Sequence, residues 1–423
     1  MPYNCISIIG LGYIGLPTAA VFASRNKQVI GVDISQHVVD TINAGKVQIV
    51  EPGLELMVEK AVNKGFLRAV IAPEPADVFL IAVPSPFLAR KSNDLIPKPD
   101  LSYIESAARA IAKVLKKGDV VILESTSPVG TTEKMAEWIS EERSDLTFPQ
   151  THGAQSDIRI AYCPERVLPG NIISELIEND RVIGGMTESC SKAAIDAYRV
   201  FVKGNCVKTN SRTAEMTKLT ENASRDVGIA LANELSIICD SLDIDVWELI
   251  SLANLHPRVS ILQPGPGVGG HCIAVDPWFI ASKSPDDANL IKEARIINDK
   301  KPFWVLEKVN LSIEKIMLIN SLENSTDISI ACYGLAFKPN IDDLRQSPAT
   351  LIAKEIIKFH TGSVLLIEPN IDELPLELKG GELCGLSEGL ARADIHLLLV
   401  DHNEFKDVRP SCGEVIDTRG IWR

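Results

Sequence analysis

The sequence lacks the cysteine patterns that mark metal sites and disulfide frameworks. Its nine cysteines are an odd number, and none of them stands in a CxxC pair. His256, His271 and Cys272 lack the further ligands that a tetrahedral zinc site requires, so we predict no metal. Scattered thiols without a pairing pattern are typical of the reducing cytoplasm, which is therefore the predicted location.

Long apolar runs and an excess of basic charge are missing as well. No apolar run approaches about 18 residues, and the first residues show no signal-peptide pattern, so we expect neither a membrane span nor a secretory leader. The chain has 43 Lys and Arg against 56 Asp and Glu, a net charge of -13. That balance argues against nucleic acid as a partner. An anionic small molecule would have to be held by a local cluster of cations.

The chain is long enough for two or three domains, with 423 residues of which 45% are hydrophobic. Apolar strand patterns alternate with helical patterns near both ends. We predict an α/β protein with two Rossmann-like doubly wound domains, joined by a long central helix and a helical dimerisation region. The predicted domains are residues 1–210, 211–320 and 321–423.

A glycine motif follows the first predicted strand, Asn4–Ile9. Gly10, Gly12 and Gly15 form G-x-G-x-x-G before an apolar helix, and Asp33 ends the next strand. In this context the motif predicts a dinucleotide site, because the glycines let the backbone approach a pyrophosphate at a helix N-terminus. An acid at the second strand binds the ribose hydroxyls and repels a 2′-phosphate, which favours NAD over NADP.

Further polar residues follow the later strands of the first domain. Ser85 and Thr126 stand after two apolar runs, where a parallel sheet presents ligands, although each could be an ordinary turn hydroxyl. Glu165 and Arg166 end another strand with a carboxylate and a guanidinium.

A helix is predicted from Thr213 to Leu242, since only Gly228 interrupts its pattern. Four of its polar residues fall on one stripe of the helix, namely Glu215, Lys218, Asn222 and Arg225. This stripe could face the solvent or face a substrate. We favour the second. A further helical segment, 287–309, is expected to bend or break around Pro302.

The most distinctive stretch is Pro264–Pro277, a glycine-rich loop that delivers Cys272, with Asp276 four residues later. A thiol on such a loop suits a nucleophile, whereas the alternative is an inert structural cysteine. The last domain repeats the strand–helix alternation without G-x-G-x-x-G, and it places Lys338, Arg345 and Arg419 at strand ends or turns.

An NAD site combined with a nucleophilic thiol permits more than one hydride transfer. A thiol can capture an aldehyde as a thiohemiacetal, which on a second oxidation becomes a thioester that water hydrolyses to an acid. We therefore predict a four-electron oxidation of a primary alcohol that consumes two NAD.

These residues resemble the UDP-glucose/GDP-mannose dehydrogenase family over essentially the whole chain. The matching motifs are Gly10-x-Gly-x-x-Gly15, Pro164-Glu165, Lys218-x-x-x-Asn222, Gly269-Gly-His-Cys272 with Asp276, Phe337-Lys338, and Arg345. The strings Cys163–Gly170, Asn210–Met216 and His256–Val259 most resemble members that oxidise UDP-N-acetyl-D-mannosamine at C6, an expected role in bacterial surface polysaccharide biosynthesis. UDP-N-acetylglucosamine and UDP-N-acetylgalactosamine remain alternatives.

The resemblance implies roles for individual residues. Cys272 would be the nucleophile, Lys218 the proton-transfer group or oxyanion stabiliser, and Glu165 an assistant in thioester hydrolysis, with Asn222 and Asp276 as orienting groups. The residues implied to hold the UDP-sugar are Arg166, Val167, Lys218, Asn222, Arg225, His256, Arg258, Gly269, Phe337, Lys338 and Arg419. Those implied to contact NAD are Gly10, Gly12, Tyr13, Ile14, Gly15, Asp33, Ser85, Thr126 and Arg345.

The resemblance also implies a homodimer in which Arg258 reaches the partner's site, and it makes residues 321–423 the UDP-sugar-binding domain. Two rival functions stay open at this point. One is a two-electron β-hydroxyacid dehydrogenase, which would need neither Cys272 nor the last domain. The other is a catalytically idle sensor of NAD or of a nucleotide sugar.

Overall fold

The computed structural model describes residues 3–89, 96–168, 170–270 and 272–423, so His271 of the glycine loop lies outside the described residues. These residues form two compact units. Unit 1 runs up to Glu221 and includes Ser282–Pro285, and unit 2 consists of Asn222–Ala281 and Asp286–Arg423. The division into three domains that the sequence predicts stays a proposal.

Unit 1 is built on an eight-stranded sheet. Its strands are β1 (Cys5–Ile9), β2 (Gln28–Val32), β3 (Leu67–Val70), β4 (Val78–Ile81), β5 (Val120–Leu123), β6 (Arg159–Tyr162), β7 (Arg181–Gly185) and β8 (Cys206–Asn210). Their order is β3-β2-β1-β4-β5-β6-β7-β8, and the β6–β7 pair alone among these neighbours is antiparallel. The first six strands have the order of a dinucleotide-binding Rossmann fold, as predicted.

Helices cover both faces of this sheet. They are α1 (Gly15–Ser24), α2 (Gln36–Asn43), α3 (Leu54–Asn63), α4 (Ser102–Ala112), α5 (Thr131–Glu142), α6 (Pro149–His152), α7 (Ile172–Glu178) and α8 (Glu188–Tyr198). Alternate residues of one strand enter different cores: Leu80 of β4 packs in one hydrophobic cluster, and Phe79 and Ile81 pack in the other. Burial on both faces explains why these strands are continuous apolar runs.

The long helix is present as predicted. It is α9 (Ser211–Ser241), and it begins in unit 1 and continues in unit 2 from Asn222. The other helices outside the first sheet are α10 (Val246–Ala253), α11 (Asp276–Lys283), α12 (Asn289–Asn320), α13 (Pro348–Phe359) and α14 (Leu386–Arg392). Among the described residues, no helix is both long and apolar enough to cross a membrane.

Unit 2 contains a second parallel sheet of five strands. These are β9 (Ile330–Tyr333), β10 (Val364–Ile367), β11 (Glu382–Leu383), β12 (Ile395–Leu398) and β13 (Glu414–Asp417), in the order β11-β10-β9-β12-β13. Both faces are again buried, because Ile330 and Tyr333 of β9 pack in separate clusters. The predicted second doubly wound domain is therefore confirmed.

Sequence periodicity missed the short edge strands β3 and β11. Strand β3 has only four residues and exposes Arg68, and β11 has only two residues. Such strands are held by pairing with a neighbour, as Leu365 of β10 pairs with Glu382, and they carry little apolar signal of their own.

Helix 287–309 was expected to bend or break around Pro302, and the structure shows that it does not break there. Helix α12 passes through Pro302 and ends at Asn320. Proline removes one backbone donor, but Val305, Val309 and Ile313 bury a long apolar face in the core of the second sheet. Packing along the helix therefore outweighs the local penalty.

A buried acid occupies, in the second sheet, the place that Asp33 holds in the first. Glu368 follows β10, and its Oε2 accepts the N–H groups of Leu335 at 2.7 Å and Ala336 at 3.1 Å. His402 accepts from the Asn340 N–H at Nδ1, so its Nε2–H donates to Glu368 across 3.0 Å. Although burial alone would raise it, these hydrogen bonds lower the pKa of Glu368 to about 2. The Glu368 carboxylate therefore makes its hydrogen bonds within unit 2.

Replacing Glu368 by Gln is expected to lower the free energy of unfolding at pH 7 by up to about 3 kcal/mol, the equivalent of its pKa depression. An acid with a depressed pKa stabilises the fold above the pKa of the unfolded chain and loses that effect as the pH falls. The difference between wild type and variant should thus narrow from about pH 5 to pH 3. Denaturant melts measure it, with the exposed Glu404→Gln as control. A pH-independent difference would contradict this assignment.

Candidate active site

The glycine turn of unit 1 has space on one side and none on the other. A methyl group added at Gly12 would meet no atom within 4 Å, whereas one added at Gly15 would lie 1.7 Å from the Gly10 carbonyl oxygen. Helix α1 begins after Ile14 with no capping side chain, which leaves its first amides available to an anion. Tyr13 in the same turn is exposed. The turn therefore fits a dinucleotide pyrophosphate.

Asp33 is fixed next to this turn. Its Oδ2 accepts the Leu11 N–H at 3.0 Å, and its Oδ1 accepts the Ser35 N–H at 2.9 Å. Each carboxylate oxygen has a second lone pair for a ribose hydroxyl. Ser85 and Thr126 follow β4 and β5 at the same edge of the sheet, and both are half-buried. The carboxyl ends of the parallel strands thus bring the predicted cofactor residues of unit 1 together.

Glu215 does not belong to a substrate-facing stripe on α9. It is fully buried. Its carboxylate accepts the N–H groups of Gly130 at 2.7 Å and Thr132 at 2.8 Å, together with the Thr132 hydroxyl at 2.7 Å. Burial raises the pKa of Glu215. The residue caps α5 and fixes the loop after β5, so the predicted stripe is reduced to Lys218, Asn222 and Arg225.

Glu165 and Arg166 have separate partners. Glu165 is 8% exposed and accepts an N–H of Arg181 at 3.0 Å. Arg166 is half-buried and binds Glu221 of α9, with Nη2 to Oε1 at 2.8 Å and Nε to Oε2 at 3.1 Å. Cys163 lies beneath them, and burial raises its pKa to about 12. That thiol keeps its proton at neutral pH and is no nucleophile.

In unit 2, the predicted nucleophile stands at the start of a helical turn. Cys272 is exposed, and its carbonyl accepts the N–H groups of Val275 at 3.0 Å and Asp276 at 2.8 Å. Asp276 begins α11 and is buried. Its Oδ2 accepts the side-chain N–H of Asn222 at 2.5 Å, which ties the turn to α9.

The glycine loop before Cys272 packs against the turn after β9. A methyl group added at Gly269 would lie 2.5 Å from the Gln346 carbonyl oxygen and 3.1 Å from the Phe337 Cβ. Gly270 has a positive φ of 81° and faces the Phe337 ring. Side chains are excluded here by space and by backbone conformation. The contact brings two stretches that are far apart in sequence, Gly269 and Phe337, into one site.

Cations lie at the carboxyl edge of the second sheet. Lys338 follows β9 and Arg419 follows β13, and both are half-buried. Asp401 holds Arg419 with Nε to Oδ1 at 2.7 Å, and a methyl group added at Gly265 would lie 2.6 Å from its guanidinium. Arg345 binds Asp343 with two N–H groups at 2.8 and 2.7 Å.

A separate loop displays His256 and Arg258 on the surface. Asn254 closes this loop by donating to the Ile261 carbonyl at 3.0 Å and accepting the Ile261 N–H at 2.7 Å. Both His256 and Arg258 are exposed, and the Arg258 N–H donates to His256 Nδ1 at 3.3 Å. Arg225 is exposed on α9.

Sequence reasoning missed the partners that hold these residues, namely Arg181, Glu221 and Asp401. A charge that opens an otherwise apolar strand, as Arg181 does in β7, was the available signal for the first. The predicted substrate residue Val167 is partly buried and packs against one of the two hydrophobic clusters of unit 1. In the described part of the chain, no group of three or more His, Cys, Asp or Glu could hold a metal ion.

Comparison with known proteins gives matches along the chain. Residues 4–202, 212–300 and 331–423 match the NAD binding, central and UDP binding domains of the UDP-glucose/GDP-mannose dehydrogenase family. A UDP-N-acetyl-D-mannosamine dehydrogenase of Escherichia coli K12 is 60% identical, with 100% of both chains covered. An NDP-N-acetyl-D-galactosaminuronic acid dehydrogenase of Ralstonia nicotianae is 58% identical over 99% of this chain and 96% of the relative. The solved structure of a Pyrococcus horikoshii UDP-D-ManNAc dehydrogenase has a TM-score of 0.85 at 38% identity, covering 99% and 96% of the two chains.

The two glycines of the turn should respond differently to a methyl group. Gly12→Ala is expected to keep the melting temperature of the wild type and to weaken NAD binding by about tenfold or more, because the methyl group enters only the ligand's space. Gly15→Ala should lower the melting temperature, because it forces the turn apart. Thermal melts and NAD titration by calorimetry measure both effects. Equal loss of stability in the two variants would contradict this division of roles.

Proposed function

We propose a function from one premise: the chain belongs to the UDP-glucose/GDP-mannose dehydrogenase family. It is an NAD-dependent oxidoreductase that converts the C6 hydroxyl of UDP-N-acetyl-D-mannosamine to a carboxylate. The observation that carries this proposal is the exposed Cys272 on its glycine loop. The loop packs on Phe337, and the Asn222–Asp276 hydrogen bond holds the turn after Cys272.

Substrate binding is assigned to the cations of the site. Lys338 and Arg419 are suited to a diphosphate because both follow strands at one sheet edge, and Asp401 fixes the Arg419 guanidinium. Phe337 and Gly269, which lie against each other, are assigned to the nucleotide as well. These local cations would attract an anionic substrate although the protein as a whole carries a net charge of -13. Arg166, Val167, Arg225, His256 and Arg258 complete the proposed set.

The chemistry rests on a small number of side chains. The glycine turn, Asp33 and Arg345 would hold NAD, which would supply the hydride acceptor for each of two oxidations at C6. Lys218 takes up the hydroxyl proton or stabilises the oxyanion, and Cys272 adds to the resulting aldehyde as a thiohemiacetal. After the second oxidation the sugar is held as a thioester, and Glu165 assists its hydrolysis. Asn222 and Asp276 fix the turn that carries the thiol.

The sugar is assigned from the relatives. The 60% identical E. coli relative and the solved P. horikoshii relative are both named for N-acetylmannosamine. The 58% identical R. nicotianae relative is named for N-acetylgalactosaminuronic acid, which makes the galacto sugar the second candidate. The product suits bacterial surface polysaccharide biosynthesis, and we assign the reaction to the cytoplasm, where thiols stay reduced.

Purified protein with excess NAD is expected to form two NADH per UDP-N-acetylmannosamine and to release the uronate. Absorbance at the NADH band and mass spectrometry of the sugar measure this, with the N-acetylglucosamine and N-acetylgalactosamine nucleotides in parallel. One NADH per substrate would favour a β-hydroxyacid type of reaction. Preference for the galacto sugar would move the assignment to the second candidate.

Alkylation should distinguish the two exposed cysteines, Cys272 and Cys412. Iodoacetamide is expected to inactivate the enzyme in step with labelling of Cys272, because that thiol is the proposed nucleophile. Cys272→Ser should form no acid, whereas Cys412→Ser should keep full activity. Full turnover by Cys272→Ser would reject the thioester route and favour the sensor hypothesis.

We also propose a homodimer. Leu231 and Ile238 lie on one face of α9 at a spacing of seven residues, and Leu242 follows the last residue of the helix; each has about half or more of its side chain exposed. The nearby loop presents Arg258 outward, which suits a guanidinium that serves the site of a second copy.

Mixing of inactive variants tests this arrangement. Arg258→Ala and Cys272→Ser subunits, reassorted together, should recover about a quarter of the wild-type activity, since half of the dimers are mixed and each has one complete site. No recovery would place Arg258 in its own subunit's site. Sedimentation should show monomers for Ile238→Glu and dimers for the control Leu376→Glu, an exposed position in the last domain.

A further inference from the structure

A group of buried polar side chains lies beneath the carboxyl ends of β5 and β6 in unit 1. Arg181 is 4% exposed and is its centre. Its Nη2 donates to Glu165 Oε2 at 3.0 Å, its Nη1 lies 3.7 Å from Cys163 Sγ, and its guanidinium carbon is 4.7 Å from the Tyr198 ring centroid. The guanidinium is thus fixed in plane and in rotation.

The same guanidinium fixes the direction of Glu165. One carboxylate oxygen accepts from Arg181, and the other accepts the Arg166 N–H at 2.7 Å. With both oxygens bound, the carboxylate cannot rotate, and each oxygen keeps one further lone pair. This is the arrangement of an acceptor held ready for a proton.

A second acid, Glu124, lies close enough to Arg181 for the two charges to interact. Glu124 is buried and accepts the Tyr198 hydroxyl at 2.5 Å. Burial raises the pKa of Glu124 to about 7. Of the two acids, Glu165 is the one that accepts a hydrogen bond from Arg181.

The group is poorly explained by stability alone. A buried ion pair contributes little net stability, because desolvation offsets the attraction. Moreover, the Nε–H of Arg181 has no hydrogen-bond partner among the described residues. A polar group retained at such cost is more readily explained by a task in the reaction.

We propose that Arg181 is a positioning residue for thioester hydrolysis, holding the Glu165 carboxylate in one orientation for its role as acceptor of the water proton. In this step the water oxygen bonds to the thioester carbon, and its proton passes to Glu165. The carbon–sulfur bond then breaks, and sulfur leaves with the electron pair as the Cys272 thiolate. The inference rests on the proposed function, which assigns the hydrolytic role to Glu165.

The test compares Arg181→Lys and Arg181→Met with Glu165→Gln. We expect all three to release a first burst of two NADH per site and then to turn over about ten- to hundredfold more slowly than the wild type. A sugar adduct on Cys272 should accumulate and be detectable by intact mass. A double variant that combines Glu165→Gln with an Arg181 substitution should turn over no more slowly than Glu165→Gln alone, because both residues act on the same step.

Hydroxylamine distinguishes a defect in hydrolysis from a structural defect, because it would rescue only the first. It cleaves thioesters without a general base, so it should restore NADH formation in the Arg181 variants as in Glu165→Gln, with release of a sugar hydroxamate. Arg199→Lys, an exposed arginine next to Tyr198, is the control and should behave as wild type.

The proposal is overturned if folded Arg181 variants turn over at the wild-type rate or lose the NADH burst. Failure of both variants to fold would assign Arg181 to stability and overturn it equally. If wild type forms one NADH and Glu165→Gln gives no adduct, the proposed function itself fails, whatever the Arg181 variants do.

Discussion

The hydrogen bond from Asn222 to Asp276 is the constraint on which the proposed chemistry at Cys272 depends. Asp276 holds the Cys272 carbonyl through its own N–H group and holds α9 through its carboxylate. The turn that carries the thiol is therefore fixed from the helix side, while Gly270 and Phe337 fix the loop from the other side. A nucleophile must meet its target within a narrow range of positions, and this double attachment supplies that precision.

Carboxylates serve a structural purpose throughout the chain. Asp33, Glu215 and Glu368 each accept backbone N–H groups at a turn or helix start, in three different places. The acidic excess is thus used in part to hold loops at the carboxyl edges of the sheets. The cations assigned to ligand binding, such as Arg419, follow strands at such an edge. A protein of net negative charge can in this way bind a doubly charged anion.

Much of the fold could be predicted because it depends on local pattern. Apolar runs predicted β4 and β5, and the uninterrupted helical pattern predicted α9 within two residues. The glycine motif predicted the dinucleotide turn because its spacing reflects atomic contacts such as that between Gly15 and Gly10. What could not be predicted depends on partners distant in sequence. Helical spacing placed Glu215 on a polar stripe but could not reveal that α5 covers it, and nothing local joins Arg181 to Glu165.

The contact of Gly269 with Phe337 limits how this protein can change over evolution. With no room for even one methyl group, the glycine loop and the turn after β9 can vary only together. Segments exchanged between relatives by recombination would have to carry both sides of this contact or restore it by further substitutions. The C-terminal sheet is consequently not a freely exchangeable module, although it has a core of its own.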